Sequence, residues 1–138
     1  MHEFALADAV VTTALRTAER EGIAVIDVLT VRVGELQRIR RETFEFALKE
    51  VMPAEHSVLS AAAITVEKEP ARFCCRPCGR EFDMDESGAQ GGTDEAEAIH
   101  FIPELAHAYL ACPACRSPDF EVLSGRGVSI SRLEGESA

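Results

Sequence analysis

The sequence predicts an α+β fold: two helices on a small three-stranded sheet, with a cysteine-rich module inserted before the last strand. Three observations carry this. Apolar residues recur at helical spacing in two stretches and with a period of two in others. Four of the five cysteines form two Cys-x-x-Cys pairs far apart in the chain. The length, 138 residues, suffices for one domain or one domain with a small satellite.

The elements follow in order. In residues 5–20, Ala7, Val10, Val11, Ala14, Leu15 and Ala18 recur at three- and four-residue steps, so this stretch is expected to be a helix, with Gly22 as its stop. Residues 24–33 switch to alternation. Val25, Leu29, Val31 and Val33 share one face of the expected strand, on which Asp27 is a misfit; Gly34 ends it. A second helix is expected from about Arg38 to Val51, with Ile39, Phe46 and Val51 on one stripe, Phe44 and Leu48 widening it, and Pro53 stopping it. Ala62, Ile64 and Val66 suggest a second strand ending near Pro70. The alternation of Phe120 and Val122, then Val128 and Ile130, marks a last strand or a bent pair, and Leu133 to Ala138 read as a polar tail. The expected division is 1–70 plus 119–138 for the α/β domain and 71–118 for the cysteine module. A module this small rarely buries enough apolar surface to fold alone, and a structural metal would supply what its core lacks.

Composition narrows the function. Apolar residues make up 46% and charged residues 28%, ordinary values for a globular chain. No apolar run reaches the ~18–20 residues of a membrane span. The start, Met-His-Glu with Asp8 close behind, does not resemble a secretory signal, so a cytoplasmic location is expected. The net charge of −10 argues against nucleic acid and against an anionic membrane surface as partners. There is no G-x-x-x-x-G-K-[ST], so any nucleotide hydrolysis belongs to a partner, and no catalytic triad or carboxylate pair can be assembled. An enzyme is not expected.

The cysteines point to a metal. Cys75-Arg76-Pro77-Cys78-Gly79 and Cys112-Pro113-Ala114-Cys115 each let one tight turn present two sulfurs, and two such turns complete the tetrahedron of a closed zinc site. Gly79 permits the backbone that such a knuckle needs; Arg116 stands at the equivalent place of the second pair and makes that knuckle less ideal. One redox couple would not need two matched pairs, and nothing further supports an iron–sulfur cluster. Cys74 is out of spacing and reads as a spare thiol, with ligand exchange as the alternative.

The N-terminus offers a second donor set. Bulky His2 should protect the initiator, leaving the Met1 amine free. That amine, the His2 amide and imidazole Nδ1 and the Glu3 amide close adjoining chelate rings near one plane, the preference of Ni(II) or Cu(II) and not of zinc. A histidine at position 2 is otherwise merely exposed, and Glu3 a solvated charge favourable to the helix dipole. His56 reads as a surface residue and His107 as a packed one. Four histidines are too few for bulk nickel storage.

The Met-His-Glu start, the amphipathic first helix, Val31-Arg32-Val33-Gly34-Glu35-Leu36, Cys-x-x-Cys-Gly and Cys-Pro-x-Cys together resemble HypA, the nickel metallochaperone family of [NiFe]-hydrogenase maturation, which also serves urease in some bacteria. The resemblance covers essentially the whole chain, and the long spacer with His100-Phe101-Ile102-Pro103-Glu104 is similar to the archaeal, long-insertion branch. It implies a nickel-binding domain of two helices and a three-stranded sheet carrying a zinc-ribbon-like domain with four cysteine ligands. It implies nickel at Met1, His2 and Glu3, with His100 able to replace one N-terminal nitrogen, and structural zinc on Cys75, Cys78, Cys112 and Cys115. It also implies a HypB-type GTPase and the hydrogenase large-subunit precursor as partners. Two positions depart from the usual pattern: Arg116, where glycine is common, and Arg41-Glu42, where Pro-Glu is common. A long inserted loop permits domain swapping, which leaves a homodimer open. The residues alone also admit a zinc-ribbon protein-interaction module without nickel transfer, or a dithiol oxidoreductase; neither explains the first three residues.

Overall fold

A computed structural model describes residues 2–37, 39–87 and 110–137. The chain divides into two compact units: one of Met1–Arg32, Ile39–Glu67 and Val128–Ala138, the other of Val33–Arg38 and Lys68–Gly127. Two three-stranded sheets, one helix-covered, give the α+β architecture that the periodicities predict.

In the first unit, α1 (Glu3–Arg20) buries Ala7, Val10, Val11, Ala14 and Ala18, the stripe expected from their spacing. β1 (Ile23–Gly34) is the central strand of a sheet ordered β2-β1-β6, with β2 (Ala63–Glu69) and β6 (Val128–Ser137) at its edges. Asp27 ceases to be a misfit here. Ile26 is buried on one face, and Leu29, Thr30 and Val31 are buried in succession on both, whereas Asp27 is exposed.

The second helical stretch departs from expectation at two points. It opens as α2 (Arg41–Phe46), widens into a π-helical turn (Ala47–Val51) and continues as α3 (Met52–Glu55) through Pro53. A proline inside a helix lacks its N–H and clashes with the carbonyl four residues back. The wider turn before it, in which the Met52 N–H reaches back to the Ala47 carbonyl, accommodates both, so Pro53 does not end the helix. The buried stripe is Phe44, Ala47, Leu48 and Met52; Phe46 is 54% exposed and does not share it.

The C-terminal region departs too. β5 (Phe120–Ser124) does not join the first sheet but pairs antiparallel with β3 (Arg72–Cys75), which pairs on its other side with β4 (Glu81–Asp83). Residues 119–127 thus lie in the second unit, not in the first as expected, because main-chain pairing with β3 outweighs proximity in sequence to β6. Leu133–Ser137 is the end of β6 and not a tail.

The core of the second unit is an aromatic triad. Phe73, Phe82 and Phe120 are fully buried, with ring centroids 5.1–5.5 Å apart, in tilted and edge-to-face arrangements. Leu36, Ala71, Leu110, Cys75 and Cys112 complete it. The Val33-Gly34-Glu35-Leu36 segment has a structural reason. The Gly34 N–H donates to the Gly127 carbonyl at 2.8 Å and the Leu36 N–H to the Gly125 carbonyl at 2.9 Å. A Cβ on Gly34 would collide with that same Gly125 carbonyl. The Glu35 carboxylate accepts the Ala71 N–H at 2.9 Å, and Leu36 is buried in the core.

Candidate metal centres

The cysteine site is built by β3 and two turns. Along β3, side chains alternate, so Phe73 and Cys75 face inward while Arg72 is exposed and Cys74 half-buried on the other face. This puts Cys75 at the end of the aromatic core, and Cys112 is buried beside it. Cys78 and Cys115, one turn later in each pair, are exposed.

The two knuckles are built alike. The Gly79 N–H donates to the Cys75 carbonyl at 2.8 Å and the Arg116 N–H to the Cys112 carbonyl at 2.9 Å. Likewise the Cys75 N–H donates to the Arg80 carbonyl at 2.8 Å and the Cys112 N–H to the Ser117 carbonyl at 3.0 Å. Both turns close through a left-handed residue, Gly79 at φ +77° and Arg116 at φ +63°. Arg116 therefore adopts the backbone that glycine would take without strain.

The four sulfurs converge. Sγ of Cys75 lies 3.4 Å from that of Cys115, Sγ of Cys78 lies 3.6 Å from that of Cys112, and all four are within 4.8 Å of one another. Four thiolates at the usual zinc–sulfur distance around one tetrahedral ion sit about 3.8 Å apart. The donor set therefore fits a single thiophilic ion, and it is the only such cluster of three or more among the described residues. Protonation within it is uneven. Burial pushes the Cys75 thiol up to about 12, whereas the backbone N–H of Cys115 holds Cys112 down to about 6. A cation among the sulfurs removes the desolvation penalty of a buried thiolate.

A clasp that the sequence does not announce crosses this site. The Arg76 guanidinium, inside the first knuckle, donates to Asp119 at 2.7 Å and to the Phe120 carbonyl at 3.1 Å, just beyond the second. The Arg76 N–H also donates to the Asp119 carbonyl at 3.0 Å. No local spacing signals this pair; it depends on β5 lying beside β3. The in-phase placement of Phe73 with Cys75 was the one available hint of the aromatic core.

At the N-terminus, His2 is exposed at the cap position of α1, and its carbonyl accepts the first helical bond, from the Leu6 N–H, at 2.8 Å. Glu3 is not solvated: it is 3% exposed, and its carboxylate accepts the Arg40 N–H at 2.8 Å. Burial alone would raise its pKa, but the N–H groups of Arg40 and of Glu3 itself, together with the charged N-terminal amine, outweigh that and hold the carboxyl below its ordinary value. Of the other candidate ligands and histidines, Met1, His100 and His107 lie outside the described residues.

The family model described as hydrogenase/urease nickel incorporation metallochaperone HypA matches residues 1–135. The chain belongs to the HypA family. Hydrogenase maturation factor HypA of Thermococcus onnurineus is 48% identical over 138 residues, covering 99% of this chain and 96% of that one. Its counterpart from Pyrococcus abyssi is 45% identical over 136 residues, with the same coverage of 99% and 96%. The fold agrees with the solution structure of the Ni metallochaperone HypA from Helicobacter pylori, at TM-score 0.65 and 17% identity, with all of both chains covered. The chain is thus a member of a nickel-metallochaperone family with a metal-binding cysteine cluster. Among the described residues, no helix is long and apolar enough to cross a membrane.

Proposed function

We propose that this chain is a cytoplasmic nickel carrier that binds Ni(II) at its N-terminus and delivers it for [NiFe]-hydrogenase maturation. The nickel donors are the Met1 amine, the His2 amide and imidazole and the Glu3 amide, with His100 as an imidazole that can replace one of them. Cys75, Cys78, Cys112 and Cys115 hold a structural zinc, which neutralises the buried thiolates and ties the two knuckles together. In this reading the unit containing α1 is the nickel-binding domain and the unit containing the cysteines is the zinc-binding domain. The partners are a HypB-type GTPase and the hydrogenase large-subunit precursor, in line with the relatives' name, hydrogenase maturation factor.

Beyond family membership, one observation carries the nickel site: His2 is exposed immediately before α1, whose first intrahelical bond is that of Leu6. The amides of His2 and Glu3 precede that bond, and the first N–H groups of a helix have no carbonyl partner within it. A metal can replace their protons without opening the helix. Nitrogen donors at a chain end can be displaced one at a time by a receiving site.

The test is metal content and nickel titration of tag-free protein beginning at Met1, beside a copy carrying a few extra N-terminal residues. The reading expects one zinc in both and tight nickel binding only in the authentic form. Equal nickel affinity in both would remove the terminal chelate. Zinc with no nickel binding in either would leave a zinc-ribbon interaction module.

A further inference from the structure

The third residue of a chain ordinarily lies in water, and a carboxylate there gains little from a fixed partner. Glu3 does the opposite. The residue is 3% exposed, and its carboxylate oxygen takes the backbone N–H of Arg40 at 2.8 Å. Arg40 is the extended residue, at φ −82° and ψ 105°, immediately before α2. One side chain therefore fastens the first turn of α1 to the entry of the second helical stretch. The same residue contributes its amide to the proposed chelate, and its carboxylate also takes that amide's own N–H, so side chain and main chain meet at one point.

We propose that Glu3 is a positioning residue for nickel: its buried carboxylate, held by the Arg40 N–H, fixes the start of α1 so that the His2 and Glu3 amides are presented in one plane. The proposal rests on the N-terminal nickel reading. The carboxylate itself is not a ligand in it. Preorganisation is the physical gain, since an anchored helix start has less freedom to lose when the metal binds. The geometry also says which property matters. What the Arg40 N–H needs is an acceptor oxygen at the end of a glutamate-length side chain, which glutamine also supplies.

The test uses the full tag-free chain and measures Ni(II) affinity by competition with a chromophoric chelator, alongside amide hydrogen exchange at residue 40. Glu3→Gln keeps an acceptor oxygen at the same reach, and it is expected to restore most of the affinity and the protection of the Arg40 N–H. Glu3→Ala is expected to lower affinity about tenfold or more, from the loss of a buried bond to a charged group, and to expose that N–H to exchange. Arg40→Pro deletes the donor from the other side at a φ that proline accepts, and is expected to weaken nickel binding as Glu3→Ala does, leaving Met1, His2 and Glu3 untouched. Glu3→Ala with wild-type affinity would overturn the proposal. So would Glu3→Gln as weak as Glu3→Ala while the Arg40 N–H stays protected, because charge or direct coordination would then be what counts. A wild-type protein that binds no nickel, or whose binding is unmoved by His2→Ala, would instead remove the nickel site on which the proposal rests.

Discussion

Exchanging the residues that close the two knuckles isolates one backbone term. Gly79 has φ +77°, and no atom lies within 4 Å of where its Cβ would be, so Gly79→Ala introduces left-handed strain and nothing else. An L-residue in that conformation costs about 1–2 kcal/mol. Part of this, about 0.4–1 kcal/mol, is offset because alanine has less freedom than glycine to lose on folding. The net is a destabilisation of about 0.5–1 kcal/mol. Arg116, exposed and at φ +63°, is the mirror case, and Arg116→Gly should stabilise by the same ~0.5–1 kcal/mol. Metal binding and knuckle folding are coupled, so the difference is readable as metal retention against a chelator. We expect retention to fall about two- to fivefold in Gly79→Ala and to rise by a similar factor in Arg116→Gly. Arg116→Ala keeps the Cβ and should match the wild type. Unchanged retention in Gly79→Ala would refute the reasoning. So would Arg116→Ala moving as far as Arg116→Gly, since the side chain would then be responsible.

Two further outcomes follow from the packing. Gly34→Ala drives a Cβ into the Gly125 carbonyl, which is held by the Leu36 N–H, so neither backbone can yield easily. A loss toward the upper end of about 1–3 kcal/mol is expected in denaturant unfolding, and a neutral variant would show that the segment has room to move. Glu3 gives a pH dependence. Its folded pKa is depressed, so its stabilisation is complete above the ordinary glutamate range and is lost as pH falls through the lower folded value. In metal-free protein, the melting-temperature gap between wild type and Glu3→Gln should therefore close on acidification, and a gap independent of pH would contradict the stabilisation of the ionised carboxylate by the N–H groups and the N-terminal amine around it.

What could be read from the residues was whatever local geometry decides. The spacing of Cys75 with Cys78 and of Cys112 with Cys115 encodes two turns, and two such turns suit one ion whatever lies between them. The stripe of α1, from Ala7 to Ala18, and the β2 pattern Ile64 and Val66 likewise report their own period. The segment Val33-Gly34-Glu35-Leu36 carried the family resemblance before its reason was visible: close backbone approach at Gly34, a carboxylate capping the Ala71 N–H, and a leucine in the core.

Pairing over long sequence distance lay beyond that reach. Phe120–Ser124 has a strand pattern that fits either sheet, and only the ladder to β3 assigns it to the second. Pro53 reads as a stop in one dimension, yet the π-helical turn ahead of it lets the helix pass, with Phe44, Ala47, Leu48 and Met52 packed inside. Glu3 reads as a solvated charge, yet it is buried and one of its partners is a backbone N–H 37 residues away. Side-chain types and their periods were thus determined by the sequence itself. Which strand neighbours which, and which polar group meets which amide, was decided by the tertiary structure, because those bonds join residues whose separation along the chain carries no periodic signal.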